Sequence, residues 1–351
     1  MRVFITGGAG FIGTKLANRL VGHNEVLVYD SLHPQVHGLD PKLDLEKQVH
    51  FEKGSLENFS QLKQSLKNFD PDIVVHLAAE TGTGQSMDEI TRYCEVNVQG
   101  TANLAEIIKK HITSTKKLLL SSSRAVYGEG PWLDVNRSIS YPTLRNSAYM
   151  RAGHFTPQSN GVDLVEALPT NSETIPNPVS LYASTKLMQE LIVKQTLNEN
   201  LIPIILRFQN VYGAGQSLNN PYTGVLSIFS KKLLNSENLE IYEDGNISRD
   251  FVYVDDVVEA ITLGLNVNSH IPTINIGSGV NYSLLEVAKL LTEVFNSDSS
   301  IFVSGNFRQG DIRCAKTSLL EAKQYLNWEP RINLKQGLEL LAKWVKSSAK
   351  I

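Results

Sequence analysis

The chain is expected to be an α/β protein, a doubly wound parallel sheet with a smaller α/β lobe behind it. Three observations lead there. The first 125 residues alternate short apolar runs with amphipathic stretches. A glycine-rich turn joins the first apolar run to the first amphipathic one. After Phe208 the texture changes, with Gly, Asn and Pro crowding Asn210–Gly224 and shorter, less regular segments following.

Strands are expected at Arg2–Thr6, Glu25–Tyr29, His50–Glu52, Asp72–Leu77, Lys117–Ser121 and Pro203–Phe208. Helices are expected at Phe11–Val21, Phe59–Asn68, Asp88–Lys110 and from Leu181 to about Leu197. Nearly continuous apolar strands between helices mean that both faces of the sheet are covered. The second lobe is expected to hold Val225–Leu234, Leu239–Tyr242, Leu284–Phe295, Ile301–Val303, Leu319–Leu326 and Leu334–Trp344. Asp255–Leu265 and Thr273–Ile276 can return to the sheet. The expected division is 1–208 plus about 250–276 for the sheet domain, and 209–249 plus 277–351 for the lobe. The segment at about 129–178 breaks the rhythm. Roughly 50 residues without clear periodicity are uncommon in a compact domain, and such a segment is often a lid or binding loop. It carries Arg137, Arg145, Arg151 and His154 but no Cys.

Composition narrows the function classes. The chain has 351 residues, 42% hydrophobic and 20% charged, with a net charge of −3. No basic run marks it for nucleic acid or an anionic membrane. Two cysteines, Cys94 and Cys314, are too few for a disulfide framework or a cysteine-rich metal site, so no metal is expected. The chain opens directly on a strand, and no apolar run reaches membrane length, so a cytoplasmic enzyme is expected.

Thr6-Gly7-Gly8-Ala9-Gly10-Phe11-Ile12-Gly13 follows the first strand and opens the first helix. Gly7 allows the tight turn, Gly10 lets backbone approach a pyrophosphate, and Gly13 lets helix and strand pack closely. The phosphates then meet the free N–H groups and the positive end of the helix dipole. A Rossmann-type dinucleotide site is therefore expected here. Asp30 ends the second strand, where a carboxylate accepts from both ribose hydroxyls and repels a 2′-phosphate. The expected cofactor is therefore NAD. Ser55 is expected to face the adenine, and Ala78 and Ala79 to let the cofactor pass.

Tyr182 and Lys186 stand one helical turn apart in Tyr182-Ala183-Ser184-Thr185-Lys186. A free phenol titrates near ~10. A fixed positive charge beside it favours the phenolate, which makes a general base.

With these residues in place, the chain resembles the extended short-chain dehydrogenase/reductase family, the NAD-dependent nucleotide-sugar epimerases and dehydratases. The likeness rests on TGGAGFIG, Asp30, HLAA at 76–79, Asn97 in VNVQGT, SSSRAVYG at 121–128, YASTK, LRFQNVYG at 206–213, SRDFVYVDD at 248–256 and NWEP at 327–330. It implies a third catalytic residue, Ser123, which orients the sugar hydroxyl toward Tyr182. It adds Phe11, Ile12, Leu56, Leu77 and Asn97 to the cofactor contacts, and has Lys186 hold the nicotinamide ribose. It implies substrate contacts from Thr81, Ser123, Arg124, Asn210, Arg249, Arg308 and Asp311, the two last arginines clamping a pyrophosphate. A nucleotide sugar is the implied substrate. A homodimer through the Tyr182 helix and about Asp88–His111 is the implied assembly.

Family chemistry includes 4-epimerisation, 4,6-dehydration, decarboxylation and 4-keto reduction. Dehydratases of the family carry an acid–base pair where this chain has Arg124 and Ala125, and a guanidinium cannot act as that acid. The expected activity is 4-epimerisation of a nucleotide-activated hexose through a 4-keto intermediate, with 4-keto reduction, another nucleotide-sugar reaction or a non-catalytic NAD-binding regulator as alternatives. AAETGTGQSM, SSSRAVYGEG and NPYTGVLSIFS look most like the branch containing dTDP-L-rhamnose 4-epimerases; a UDP-glucose-type sugar is the other expectation. Members of that branch often carry Cys pairs in the insertion, which this chain lacks.

Overall fold

The computed structural model describes residues 1–348 apart from 198, 200, 219, 221 and 223. Seven strands form the central sheet: β1 (Arg2–Thr6), β2 (Glu25–Asp30), β3 (His50–Lys53), β4 (Ile73–His76), β5 (Lys117–Ser123), β6 (Ile202–Phe208) and β7 (Ile274–Ile276). Their spatial order is β7-β6-β5-β4-β1-β2-β3, and every pairing is parallel. The order reverses between β1 and β4, which opens a crevice beyond the carboxyl ends of the strands.

The longer helices are α1 (Phe11–Leu20), α2 (Phe59–Phe69), α3 (Gly100–His111), α4 (Leu181–Thr196), α5 (Val225–Leu234), α6 (Val254–Leu265), α7 (Leu284–Phe295) and α8 (Leu334–Ser348). Successive residues of β1 feed opposite cores. Val3 and Ile5 pack with Leu16 of α1 and Val257 of α6, whereas Phe4 packs with Leu62 of α2 and Leu104 of α3. Burial on both faces explains why the strands read as apolar runs without alternation. β7 adds to the edge beside β6, and α6 packs against α1, so residues 254–276 lie on the sheet.

Local differences from the expected elements matter for the site. β5 runs on to Ser123, because its pairing with β6 continues to Ser123 opposite Phe208. The expected helix over 88–110 begins at Ile90 and passes through a π turn at Cys94–Gln99 before α3. A π turn of this kind is frequent near functional sites, since it reorients a side chain. The 129–178 insertion has secondary structure of its own. Trp132–Leu133, Ile139–Ser140 and Glu166–Ala167 form a small antiparallel sheet; Gln158–Ser159 pairs with Val162–Asp163, and Ser147–Arg151 makes a short helix. Two-residue strands are too short to leave a period in the sequence.

Beyond the sheet, Asn210–Tyr212, Ser248–Tyr253 and Asn281–Ser283 form a second sheet, and Leu239–Ile241 pairs with Ile301–Val303. α7 starts from a capping box of Ser283 and Glu286. Among the described residues no helix is long and apolar enough to cross a membrane.

Candidate active site

A cleft of about 1110 Å³ runs from the glycine turn across the carboxyl ends of the strands to the second lobe. Sites for one small molecule are typically about 300–1,000 Å³, so this cleft has room for a dinucleotide and a second ligand.

At one end the backbone is stripped to admit a phosphate. Gly7 has φ +67, and a Cβ there would meet Ala78 N at 2.6 Å. A Cβ on Gly13 would meet Gly7 O at 2.5 Å. Gly10 caps α1 without a side-chain hydrogen bond, so the first-turn N–H groups stay open to an anion. The Asp30 carboxylate is fixed at the rim: Oδ2 accepts from Ala9 N at 3.1 Å and Oδ1 from Leu32 N at 2.8 Å. This end fits NAD. Phe11, Ile12, Ser55, Leu56, Leu77, Ala78 and Ala79 line it together with Gly7, Gly10, Gly13 and Asp30. Asn97 is not part of that lining. Its carboxamide, in the π turn, accepts from Glu80 N at 2.7 Å and donates to Glu80 O at 3.0 Å and Thr185 Oγ1 at 2.9 Å. It ties the β4 exit to α4.

Ser180 caps α4 by accepting from Ala183 N at 3.2 Å, and the Tyr182 N–H donates to Ser86 Oγ at 3.1 Å. Tyr182 and Lys186 thus enter the cleft from the first two turns of α4, opposite Ser123 at the end of β5. Burial pushes the Tyr182 phenol above its ordinary pKa, and a hydrogen bond with Ser123 offsets part of the rise. Burial pushes the Lys186 ammonium down to about 7, with the Glu190 carboxylate pulling it back up. Burial thus outweighs the expected lowering of Tyr182 by a neighbouring ammonium, because both groups have lost water.

Glu190 is held from two strands, β5 and β6. It accepts from Ser122 Oγ at 2.5 Å, from Arg207 Nε at 2.8 Å and from Arg207 Nη2 at 2.7 Å. His76 is fully buried and feels the Lys186 charge, and burial together with that charge holds its pKa down to about 3. Thr101 donates its proton to Asn97 O at 2.6 Å, so His76 donates from Nε2 to Thr101 Oγ1 at 2.9 Å and accepts at Nδ1 from Thr6 Oγ1 at 2.7 Å.

The second-lobe end is cationic. Arg124 donates to Gly128 O at 2.5 Å. Burial and the charge of Arg249 press its pKa down to about 10, still a cation at neutral pH. Arg249 donates to Ser248 O at 2.8 Å, and Asp311 and Glu129 counter its loss of water. Arg308 is exposed and sits 5.1 Å over the Tyr242 ring. Thr81, Asn210 and Asp311 also line this end.

Sequence reasoning missed Glu190, Tyr242 and Gln209. Gln209 lines the cleft one residue beyond β6, and its buried carboxamide has no hydrogen-bond partner among the described protein atoms. Only its place in LRFQNVYG, next to Asn210, signals it.

The chain matches the NAD dependent epimerase/dehydratase family over residues 3–159 and 160–277. It is 38% identical over 349 residues to the dTDP-L-rhamnose 4-epimerase of Burkholderia thailandensis, covering 98% of this chain and 94% of that protein. Among solved structures it is similar to UDP-glucose 4-epimerase of Thermotoga maritima with UDP-glucose, at a TM-score of 0.81 and 28% identity, covering 99% and 100% of the two chains. It is also similar to the Thermus thermophilus UDP-glucose 4-epimerase complex with NAD, at a TM-score of 0.78 and 25% identity, again covering 99% and 100%. From its motifs, its sheet order and these matches, the chain belongs to the NAD dependent epimerase/dehydratase family.

Proposed function

We propose that the chain is an NAD-dependent 4-epimerase of a nucleotide-activated hexose, and that its substrate pair is dTDP-L-rhamnose and dTDP-6-deoxy-L-talose. The observation that carries this reading is Ser123, Tyr182 and Lys186 meeting in one cleft with Arg124 next to Ser123. Arg124 leaves no acid for dehydration. The dTDP sugar is supported by the similarity over nearly the whole chain to a dTDP-L-rhamnose 4-epimerase.

NAD, when bound against the glycine turn and Asp30, supplies a reversible hydride acceptor at sugar carbon 4. Tyr182 Oη takes the proton of the 4-hydroxyl and returns it to the same oxygen after the sugar has turned over in the cleft. Ser123 Oγ hydrogen-bonds that oxygen and holds it against Tyr182. Lys186 holds the nicotinamide ribose, and its charged form favours the phenolate. Arg249 and Arg308 bind the diphosphate as planar, permanently charged forks. The proposed assembly is a homodimer through α3 and α4, where Met188 and Leu191 are exposed apolar residues that such a contact would cover.

The test is to incubate the purified protein with dTDP-, UDP- and GDP-sugars and to follow new isomers by NMR. One dTDP-6-deoxyhexose should convert to its 4-epimer with no steady-state change in the reduced nicotinamide band. Stoichiometric consumption of reduced cofactor would mark a reductase instead. Tyr182→Phe should lower kcat by about 10²–10⁴-fold, the usual contribution of a positioned acid–base group, with NAD content unchanged.

A further inference from the structure

The insertion's Arg145 has a side chain only 4% exposed, and both of its terminal nitrogens are hydrogen-bonded. Nη1 donates to Glu243 Oε2 at 2.9 Å and to Phe155 O at 3.0 Å. Nη2 donates to Glu243 Oε1 at 2.7 Å and to Asp311 O at 2.8 Å. Nε lies 3.3 Å from Glu129 Oε1. Arg313 completes the cluster, its N–H shared between both Glu129 oxygens at 2.9 Å and its Nη1 bonded to Glu243 Oε2 at 3.0 Å. Two buried glutamates thus face two arginines drawn from four separate stretches of chain.

Replacing such a cluster with apolar residues is often neutral or stabilising, so net stability is a weak reason for it. Its geometry is a better reason. The fork of Arg145 fixes the planes of Glu243 and of the Asp311 carbonyl together. Glu243 holds φ +56, a conformation a non-glycine residue keeps only when its surroundings impose it. Tyr242 precedes it in the cleft wall, and Arg308 stacks on Tyr242. Gln309 strengthens the same link, donating to Arg145 O at 3.4 Å and pairing with the Ser147 hydroxyl. The insertion therefore stands directly behind the wall formed by Tyr242, Arg308 and Asp311.

We infer that Arg145 is a positioning residue for substrate: from the insertion, it holds the Tyr242–Arg308–Asp311 wall in the form that receives the nucleoside diphosphate of the nucleotide sugar. It touches no ligand itself, since it stands behind the residues that line the cleft. The inference rests on the reading of that wall as the nucleotide-sugar site.

The experiment uses full-length, NAD-loaded protein and compares wild type with Arg145→Met, Arg145→Lys and Glu243→Gln. Binding of dTDP and UDP is measured by calorimetry, alongside KM, kcat and NAD content. Arg145→Met should raise the Kd for dTDP and the KM about tenfold or more, as small misplacements of binding groups do, while NAD content and kcat at saturation stay within about threefold. Arg145→Lys should not rescue, because an ammonium lacks the fork. Glu243→Gln, which keeps the shape but sets an amide donor against the arginine donors in place of one accepting oxygen, carries the same test if Arg145→Met does not fold. An unchanged Kd in a folded, NAD-loaded variant overturns the role of Arg145. So does a loss of NAD content and kcat in step with KM, which marks a general structural defect. Wild-type protein that binds neither diphosphate overturns the reading of the wall itself.

Discussion

Tyr182 and Lys186 lose water together, and that loss moves their pKa values apart, the phenol upward and the ammonium down to about 7. Lys186 is 3% exposed, so its cost falls on the fold. An unfolded lysine titrates near ~10.4. Between that value and about 7 the unfolded chain holds a proton that the folded chain does not, so stability rises with pH across this window. Lys186→Met should therefore melt higher than wild type at pH 7, by up to a few kcal/mol, and lose the advantage as the pH approaches ~10, while turnover is lost. A variant that melts lower than wild type at pH 7 would show that the Lys186 charge is net stabilising and that Glu190 compensates fully. The spacing of Tyr182 and Lys186 was legible because one helical turn is a local relation. The direction of their titration was not, because burial is a property of the assembled cleft. Glu190 was illegible for the same reason: its partners Ser122 and Arg207 come from neighbouring strands whose register no short motif records.

The turn between β1 and α1 is the element most fully readable from sequence, since each glycine answers to a backbone constraint within a few residues. The constraints are unequal. At Gly13 a Cβ would lie 2.5 Å from both Gly7 O and Gly8 Cα, backbone atoms that cannot swing aside. At Gly10 the nearest atom is Gly7 O, at 3.3 Å. Gly13→Ala should cost about 1–3 kcal/mol by overpacking and weaken NAD binding, with Gly10→Ala clearly milder in thermal denaturation. Equal melting temperatures for the two variants would refute the close helix–strand packing assigned to Gly13. The helix over 88–110 was legible as a helix, but its π turn was not, because the extra residue that turns Asn97 toward Glu80 and Thr185 leaves the apolar stripe nearly intact. In the insertion, paired strands of two residues and a buried arginine replace the alternation that longer elements display.

At the scale of the molecule, the alternation of apolar and amphipathic segments was enough for the doubly wound sheet, and the reversal of strand order between β1 and β4 puts the cleft where the glycine turn and Asp30 can share one dinucleotide. A ligand that binds only the folded chain stabilises all of it, by about 2.7 kcal/mol at a hundred times its dissociation constant. NAD+ should therefore raise the melting temperature of cofactor-free protein, and NADP+ at the same concentration should raise it far less. The reason is that Asp30 is 9% exposed and its two oxygens are pinned by Ala9 N and Leu32 N, so the carboxylate cannot turn away from a 2′-phosphate. Asp30→Asn keeps an acceptor for the ribose but removes the like charge, and should narrow the gap between the two shifts. Equal shifts in the wild-type protein would mean that Asp30 does not face the ribose, and the assignment of that end of the cleft to NAD rather than NADP would fall with it.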